Sequence, residues 1–327
     1  MKQHLKCAIT GAAWWKPFIA FVALFLAIMI PNELASLNPP EAPGKAFATL
    51  LFTLTLQGLL VVIQAAFSVV LMRIAFPLVS VGDKPFAFTG KVGEYVKINI
   101  FGFLLCIVTL GFYIPAYARK ITAYLAGSTR LDGESAAFLS KTGKLMKYYV
   151  LALLVPVIAV CVLFVVVVAK TGYVSSVAGS LGPVILALYL VLFLAMIPFL
   201  YLAYRWTVNF GWKDLTISWN TRFGPSCAFI AGQFALLVIT LGVLWPIAVV
   251  NLARYFAERT VIRKNGTETG HLGFDGTRGK GFTLLWGQTL LTVITLGIYL
   301  PWAYANCVRF FVNGTYFEGK QELLDQA

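Results

Sequence analysis

Charge is what this chain has least of. Only 12% of its 327 residues are charged and just 13 are acidic. A soluble domain carries roughly a quarter charged residues, so an ordinary soluble globular protein is excluded. Histidine is nearly missing too: His4 and His271 stand far apart, which rules out a histidine-rich metal site. The five cysteines (Cys7, Cys106, Cys161, Cys227 and Cys307) occur singly, with no C-x-x-C pair, and read as small buried hydrophobes. There is no nucleophile elbow, no H-E-x-x-H and no Ser/His/Asp grouping. Asp132, Glu134, Asp275 and Glu318 fall at strand ends, where turns favour acids. An enzyme is not expected, and neither a cofactor nor a metal is implied.

Long apolar runs fill the space that charge leaves. The chain is 59% hydrophobic, with a mean hydropathy of +0.82, the composition of a polytopic membrane protein. Residues 148–169 and 183–204 are apolar runs of spanning length, and 46–72 is a third. On the third, Thr53, Gln57, Gln64 and Ser68 recur at helical spacing, a stripe expected to face another helix. Residues 18–30 follow Lys2, Lys6 and Lys16 and read as a retained anchor rather than a cleaved leader. The Pro-rich stretch 32–45 would then lie outside the cytoplasm, and 170–181 would be a turn between two spans.

The net charge of +13 fits the positive flanks of membrane segments better than nucleic acid. The expected partner is the lipid bilayer with its anionic headgroups. A protein partner or a homo-oligomer stays open.

One pattern recurs three times: Thr109-Leu110-Gly111 with Pro115, Thr240-Leu241-Gly242 with Pro246, and Thr295-Leu296-Gly297 with Pro301. Gly93, Gly224 and Gly279 precede the three copies at one fixed distance, and Thr129, Thr260 and Thr315 follow at another. Such spacing indicates an internal repeat. The copies run over 86–133, 217–264 and 272–319, and each opens and closes on a strand-like piece. Asn265-Gly266 is a hairpin signal between the last two. Basic residues gather at both ends of each copy, so each should enter the membrane and return, with Thr-Leu-Gly at its far tip. The second helix of each copy is short and charged, and would span, re-enter or lie in the interface.

The expected fold is therefore an all-α polytopic membrane protein of repeated helical hairpins with short cytoplasmic β-strand pieces. Its expected segments are an N-terminal membrane hairpin (1–84), repeat A (85–133), a central two-span hairpin (134–216), repeat B (217–264), and repeat C with the tail (265–327). Both termini would be cytoplasmic.

Folding at the turn places residues equidistant from its glycine at equal depth. Gln233 and Asn251 stand nine residues either side of Gly242, and Gln288 and Asn306 nine either side of Gly297. The first copy has Gly102 and Lys120 there instead. With Arg119, Arg254 and Arg309, these residues form either a positively biased polar cavity or interhelical glue with snorkelling arginines. The aromatics Tyr113, Trp245, Tyr299 and Trp302 near the tips read as interfacial anchors. The glycine turns 90–93, 141–144 and 276–279 lack the full P-loop pattern and read as sharp strand-to-helix turns.

The first copy, from Phe88-Thr89-Gly90-Lys91-Val92-Gly93-Glu94-Tyr95 to Thr129-Arg130-Leu131-Asp132-Gly133, resembles the YjgN-like family of bacterial inner-membrane proteins. The third copy shares the likeness through Phe274-Asp275-Gly276 and Thr295-Leu296-Gly297-Ile298-Tyr299-Leu300-Pro301-Trp302. The second departs from it, with Thr221 and Lys264 at glycine positions, and the first has Ala116 where the third has Trp302. The likeness covers most of the chain from about Phe86 onward. It implies a bacterial inner-membrane location and brings no substrate, cofactor or catalytic residue. From repeat architecture, the leading expectation is a transporter or channel for a small solute, with anions favoured by the basic second helices. The alternative is a membrane scaffold or lipid-interacting protein with a cytoplasmic docking surface.

Overall fold

The computed structural model describes residues 2–37, 43–171 and 181–319. The chain repeatedly runs a strand into a pair of helices and back into a strand. The first such run is β1 (Lys2–Cys7), α1 (Trp15–Leu37), α2 (Pro43–Ala75) and β2 (Val79–Val81). The next is β3 (Lys84–Phe88), α3 (Val92–Val108), α4 (Ile114–Ser128) and β4 (Thr129–Leu131). After the two-residue β5 (Glu134–Ser135) come β6 (Ala137–Phe138), α5 (Thr142–Tyr149), α6 (Val155–Thr171), α7 (Leu181–Thr207) and β7 (Asn209–Trp212). Then follow β8 (Leu215–Trp219), α8 (Phe223–Ile239), α9 (Trp245–Ala257) and β9 (Thr260–Lys264). The last is β10 (Thr267–Phe274), α10 (Arg278–Ile294), α11 (Leu300–Gly314) and β11 (Thr315–Gly319).

The all-α expectation is corrected by the sheet. All eleven strands join one antiparallel sheet in the order β5-β4-β3-β2-β1-β11-β10-β9-β8-β7-β6. Its two edges, β5 and β6, are separated in the chain by Ala136 alone, so the sheet curls into a near-barrel. β1 shows how short strands achieve this. Its first half pairs with β11 (Lys2 opposite Glu318) and its second half with β2 (Cys7 opposite Val79). Strands of two to eight residues leave too little alternation to be read from sequence. Their backbone groups nevertheless need partners, and neighbouring strands supply them on both sides. Asn265 and Gly266, at φ 49° and 82°, make the tight turn between β9 and β10.

Trp212, Leu215 and Ile262 form a buried cluster with Leu131, Ile217, Leu272 and Phe317. Leu131 on β4 joins this cluster across the seam between the two sheet edges, where Lys213 beside Trp212 also meets Asp132 beside Leu131.

The helices follow one another around the sheet. Each packs on its neighbours in sequence, from α1 on α2 through α10 on α11, and α11 returns to β1 and the turn Gly11–Ala13. Gly11 permits this last approach: a Cβ there would come within 2.5 Å of the Trp302 indole. α5 and α6 join as one rod through a wide turn, Val150–Leu154. Pro156 explains it, because its ring nitrogen cannot donate to the carbonyl four residues back.

Among the described residues, four helical stretches are long and apolar enough to cross a membrane: Trp15–Leu34, Ala46–Leu78, Thr142–Leu163 and Leu190–Thr207. α1 runs through Pro31 to Leu37 and α2 starts at Pro43, so much of the expected 32–45 loop is helix; 38–42 lies outside the described residues. Of the expected 170–181 turn, 172–180 also lies outside them. The other helical pairs are shorter. α3, α8 and α10 have 17 residues each, and α4, α9 and α11 have 15, 13 and 15. At 1.5 Å per residue they reach roughly 20–26 Å, short of a hydrocarbon core of about 30 Å.

Candidate functional site

The three Thr-Leu-Gly turns share one backbone. Gly111 N–H donates to the Cys106 carbonyl at 2.7 Å and Leu110 N–H to Ile107 at 3.1 Å, the paired bonds of a Schellman helix end. Gly242 and Gly297 repeat the first bond with Leu237 (2.7 Å) and Thr292 (2.8 Å). The threonine hydroxyl then accepts the first free N–H of the returning helix: Tyr113 to Thr109 Oγ1 at 3.0 Å, Leu244 to Thr240 at 3.3 Å, Tyr299 to Thr295 at 3.1 Å. Pro115, Pro246 and Pro301 follow at the start of the returning helix, where a missing N–H costs nothing, and all three are fully buried.

A leucine precedes the glycine in the left-handed region at each turn. Leu110, Leu241 and Leu296 all have φ 49°, a conformation that costs a residue with a Cβ about 1–2 kcal/mol. Their side chains are 88%, 91% and 93% exposed. Three strained leucines thus point away from the protein at the far end of three short helical pairs.

Behind the tips lie the expected amide pairs. Asn251 Nδ2 donates to Gln233 Oε1 at 2.9 Å, and Asn306 Nδ2 to Gln288 Oε1 at 2.9 Å. Each asparagine oxygen in turn accepts from an arginine: Asn251 from Arg278 Nε at 2.7 Å, and Asn306 from Arg309 Nη2. The first copy is built otherwise. The Tyr117 ring fills the space at Gly102 and its hydroxyl donates to Asn99 Oδ1 at 2.8 Å. Lys120 Nζ stands 5.5 Å from the centre of the Tyr113 ring.

The structure does not gather the eight candidate residues into one cavity. Arg254 Nη2 donates to the Gly276 carbonyl at 2.9 Å and Arg119 Nε to the Ser140 carbonyl at 3.1 Å. Arg73 donates to Gly90 (2.7 Å) and the Tyr201 hydroxyl to Thr221 (3.3 Å) in the same manner. Each acceptor stands three residues before the glycine of the following helix start: Gly93, Gly143, Gly224 or Gly279. A returning helix is thereby tied to the next strand-to-helix turn at four successive junctions. Sequence reasoning missed Arg73 and Tyr201 here, since the partner carbonyl carries no side-chain signature.

Gln288, Asn306 and Arg309 do share a cleft. An open space of about 600 Å³ lies between α10 and α11, with Lys280, Asp275 and Asn313 completing its polar wall. The N-terminus of α10 opens there, capped by Thr277, whose Oγ1 accepts from Lys280 N–H. Two cations, one acid and three amides suit an anion or a polar headgroup. Among the described residues no group of three or more His, Cys, Asp or Glu could hold a metal.

Residues 83–207 match the family described as bacterial protein of unknown function (DUF898). The DUF898 match is YjgN-like and begins close to the expected Phe86. It spans β3 to α7, and so takes in the first Thr-Leu-Gly turn and the third helical pair but not the cleft between α10 and α11. No curated protein and no solved structure matches the chain.

Proposed function

We propose that the protein is a non-enzymatic integral protein of a bacterial inner membrane that engages lipid through repeated hairpins and carries its sheet as a cytoplasmic docking surface. The observation that carries this reading is the set of exposed leucine tips on helices too short to span. Arg119 and Lys120 follow the start of α4 by five and six residues, and Arg254 and Arg309 follow the starts of α9 and α11 by nine. Cations at headgroup level would leave the tips only about 8–14 Å deeper, near the bilayer middle. The short pairs therefore re-enter from one side, while the two longer pairs cross and come back. Strands and both ends of the described chain then share the basic side, the cytoplasm by charge bias.

The test is a spin label on a cysteine placed at 110, 241 or 296 in an otherwise cysteine-free chain in bilayers. The expected label is accessible to oxygen and shielded from a water-soluble nickel chelate. A label open to the chelate from either side of sealed vesicles overturns the re-entrant geometry.

A second reading, transport of a small anion, draws on the cleft between α10 and α11. Under it, a cysteine at 306 reacts rapidly with small charged thiol reagents from at least one side of sealed vesicles. Protection from both sides, with a reactive control at 266, removes it.

A further inference from the structure

A second pocket has a different character and lies at the sheet end of the third helical pair. It encloses about 340 Å³ between α5, α7 and strands β7, β8 and β9. Lys144, Arg205 and Arg263 line it, and no carboxylate does. Among the described residues, none of the three forms an ion pair. Even in a chain with twice as many basic as acidic residues, such a lining places like charges around one space with no carboxylate among them.

The neutral groups are ordered around this charge. Arg263 Nη1 donates to Ser218 Oγ at 2.7 Å, which fixes its guanidinium and leaves further N–H groups to spare. Buried Ser140 donates to the Trp206 carbonyl at 2.8 Å and accepts from Asn209 Nδ2 at 3.0 Å. Trp219 forms part of the apolar wall: it is only 4% exposed and packs edge-on against Tyr204 and Phe256. The nearby Trp206 indole donates to the Lys141 carbonyl at 3.0 Å.

We infer that this pocket binds a phosphate ester, through Lys144, Arg205 and Arg263 as counter-charges. A tetrahedral anion with several oxygens matches convergent cations and N–H groups, and the volume leaves room for an ester substituent. The ester can be a lipid headgroup or a soluble phosphate compound, since the pocket sits where helices leave the sheet. The site is independent of how deep the leucine tips reach.

The experiment uses the full chain in nanodiscs. One arm titrates inorganic phosphate against phosphatidylcholine discs by calorimetry. The other compares retained lipid by native mass spectrometry in discs with and without phosphatidylglycerol. Arg205→Gln and Lys144→Gln should each weaken binding by about tenfold or more. Arg205→Lys, which keeps the charge, should retain more of the binding than Arg205→Gln, while the distant Lys91→Gln should bind nearly as the parent does. Thermal melting of each variant confirms that it is folded. Phosphate binding lost in the pocket variants assigns a soluble ester, and selective phosphatidylglycerol retention lost in them assigns a headgroup. Binding in neither arm, or equal losses in Lys91→Gln, overturns the site.

Discussion

Arg119 on α4 donates from Nε to the main-chain oxygen of Ser140, 3.1 Å away at the entrance to α5. Arg73 and Gly90, and Arg254 and Gly276, stand in the same relation. These bonds cross from one helical pair to the next, so they oppose splaying of the helices rather than unwinding of any one. Arg73→Ala, Arg119→Ala and Arg254→Ala should each cost about 1.5–3 kcal/mol, the usual worth of a charged hydrogen bond. Loss of monodisperse protein on heating in detergent measures it. Lys97→Ala, on the same membrane-proximal level, should shift the transition far less.

Gly102 faces the Tyr117 ring so closely that a Cβ would come within 2.1 Å of it. Gly102→Ala should therefore destabilise by about 1–3 kcal/mol through overpacking. Tyr117→Ala in the same chain should recover part of that loss, and a double-mutant cycle on thermal stability shows whether the two are coupled.

The leucine tips give opposite results in detergent and bilayer. Leu241→Gly relieves a left-handed residue, so stability in detergent should rise by up to about 1 kcal/mol. Leu241→Asp places a charge where the apolar tip enters lipid, at a cost of about 2.5–3.5 kcal/mol near the bilayer centre. Reconstitution yield in vesicles should fall for the aspartate variant and not for glycine. Equal yields would argue against a buried tip.

Asp132, in the turn after β4, accepts from Lys84 Nζ at 3.1 Å and lies 3.4 Å from Lys213 Nζ of the turn after β7. Its carboxyl is held below the ordinary value, first by the Lys84 hydrogen bond and charge and then by Lys213. A depressed folded-state value means the contribution is complete above the unfolded carboxylate range and disappears as pH falls through the folded one. Asp132→Asn should lower stability at neutral pH and leave it nearly unchanged at acid pH, which flattens the acid side of the profile. A thermal-melting series across pH checks it.

The Gln233–Asn251 and Gln288–Asn306 pairs were legible because both partners sit at equal distance from a readable turn. Each asparagine donates to its glutamine across the hairpin, and Asn306→Ala should cost about 1 kcal/mol of thermal stability. The carbonyls that capture Arg119 and Arg254 were not legible, since a main-chain oxygen looks alike at every residue. Lys144, Arg205 and Arg263 were equally hidden, coming from three elements up to 119 residues apart.

The sequence by itself determined the long apolar helices, the three Thr-Leu-Gly helix ends and the helical pairs around them. Each depends on contacts within a few residues, where periodicity, threonine capping and proline placement are written side by side. Only the tertiary structure decided that the β pieces form one nearly closed sheet. His4 meets the Asn313 carbonyl across 309 residues of chain, and Lys2 pairs with Glu318 in the ladder. Strands this short gain stability from the neighbours they meet, and those neighbours are fixed by the whole circuit of helices, not by the residues of the strand.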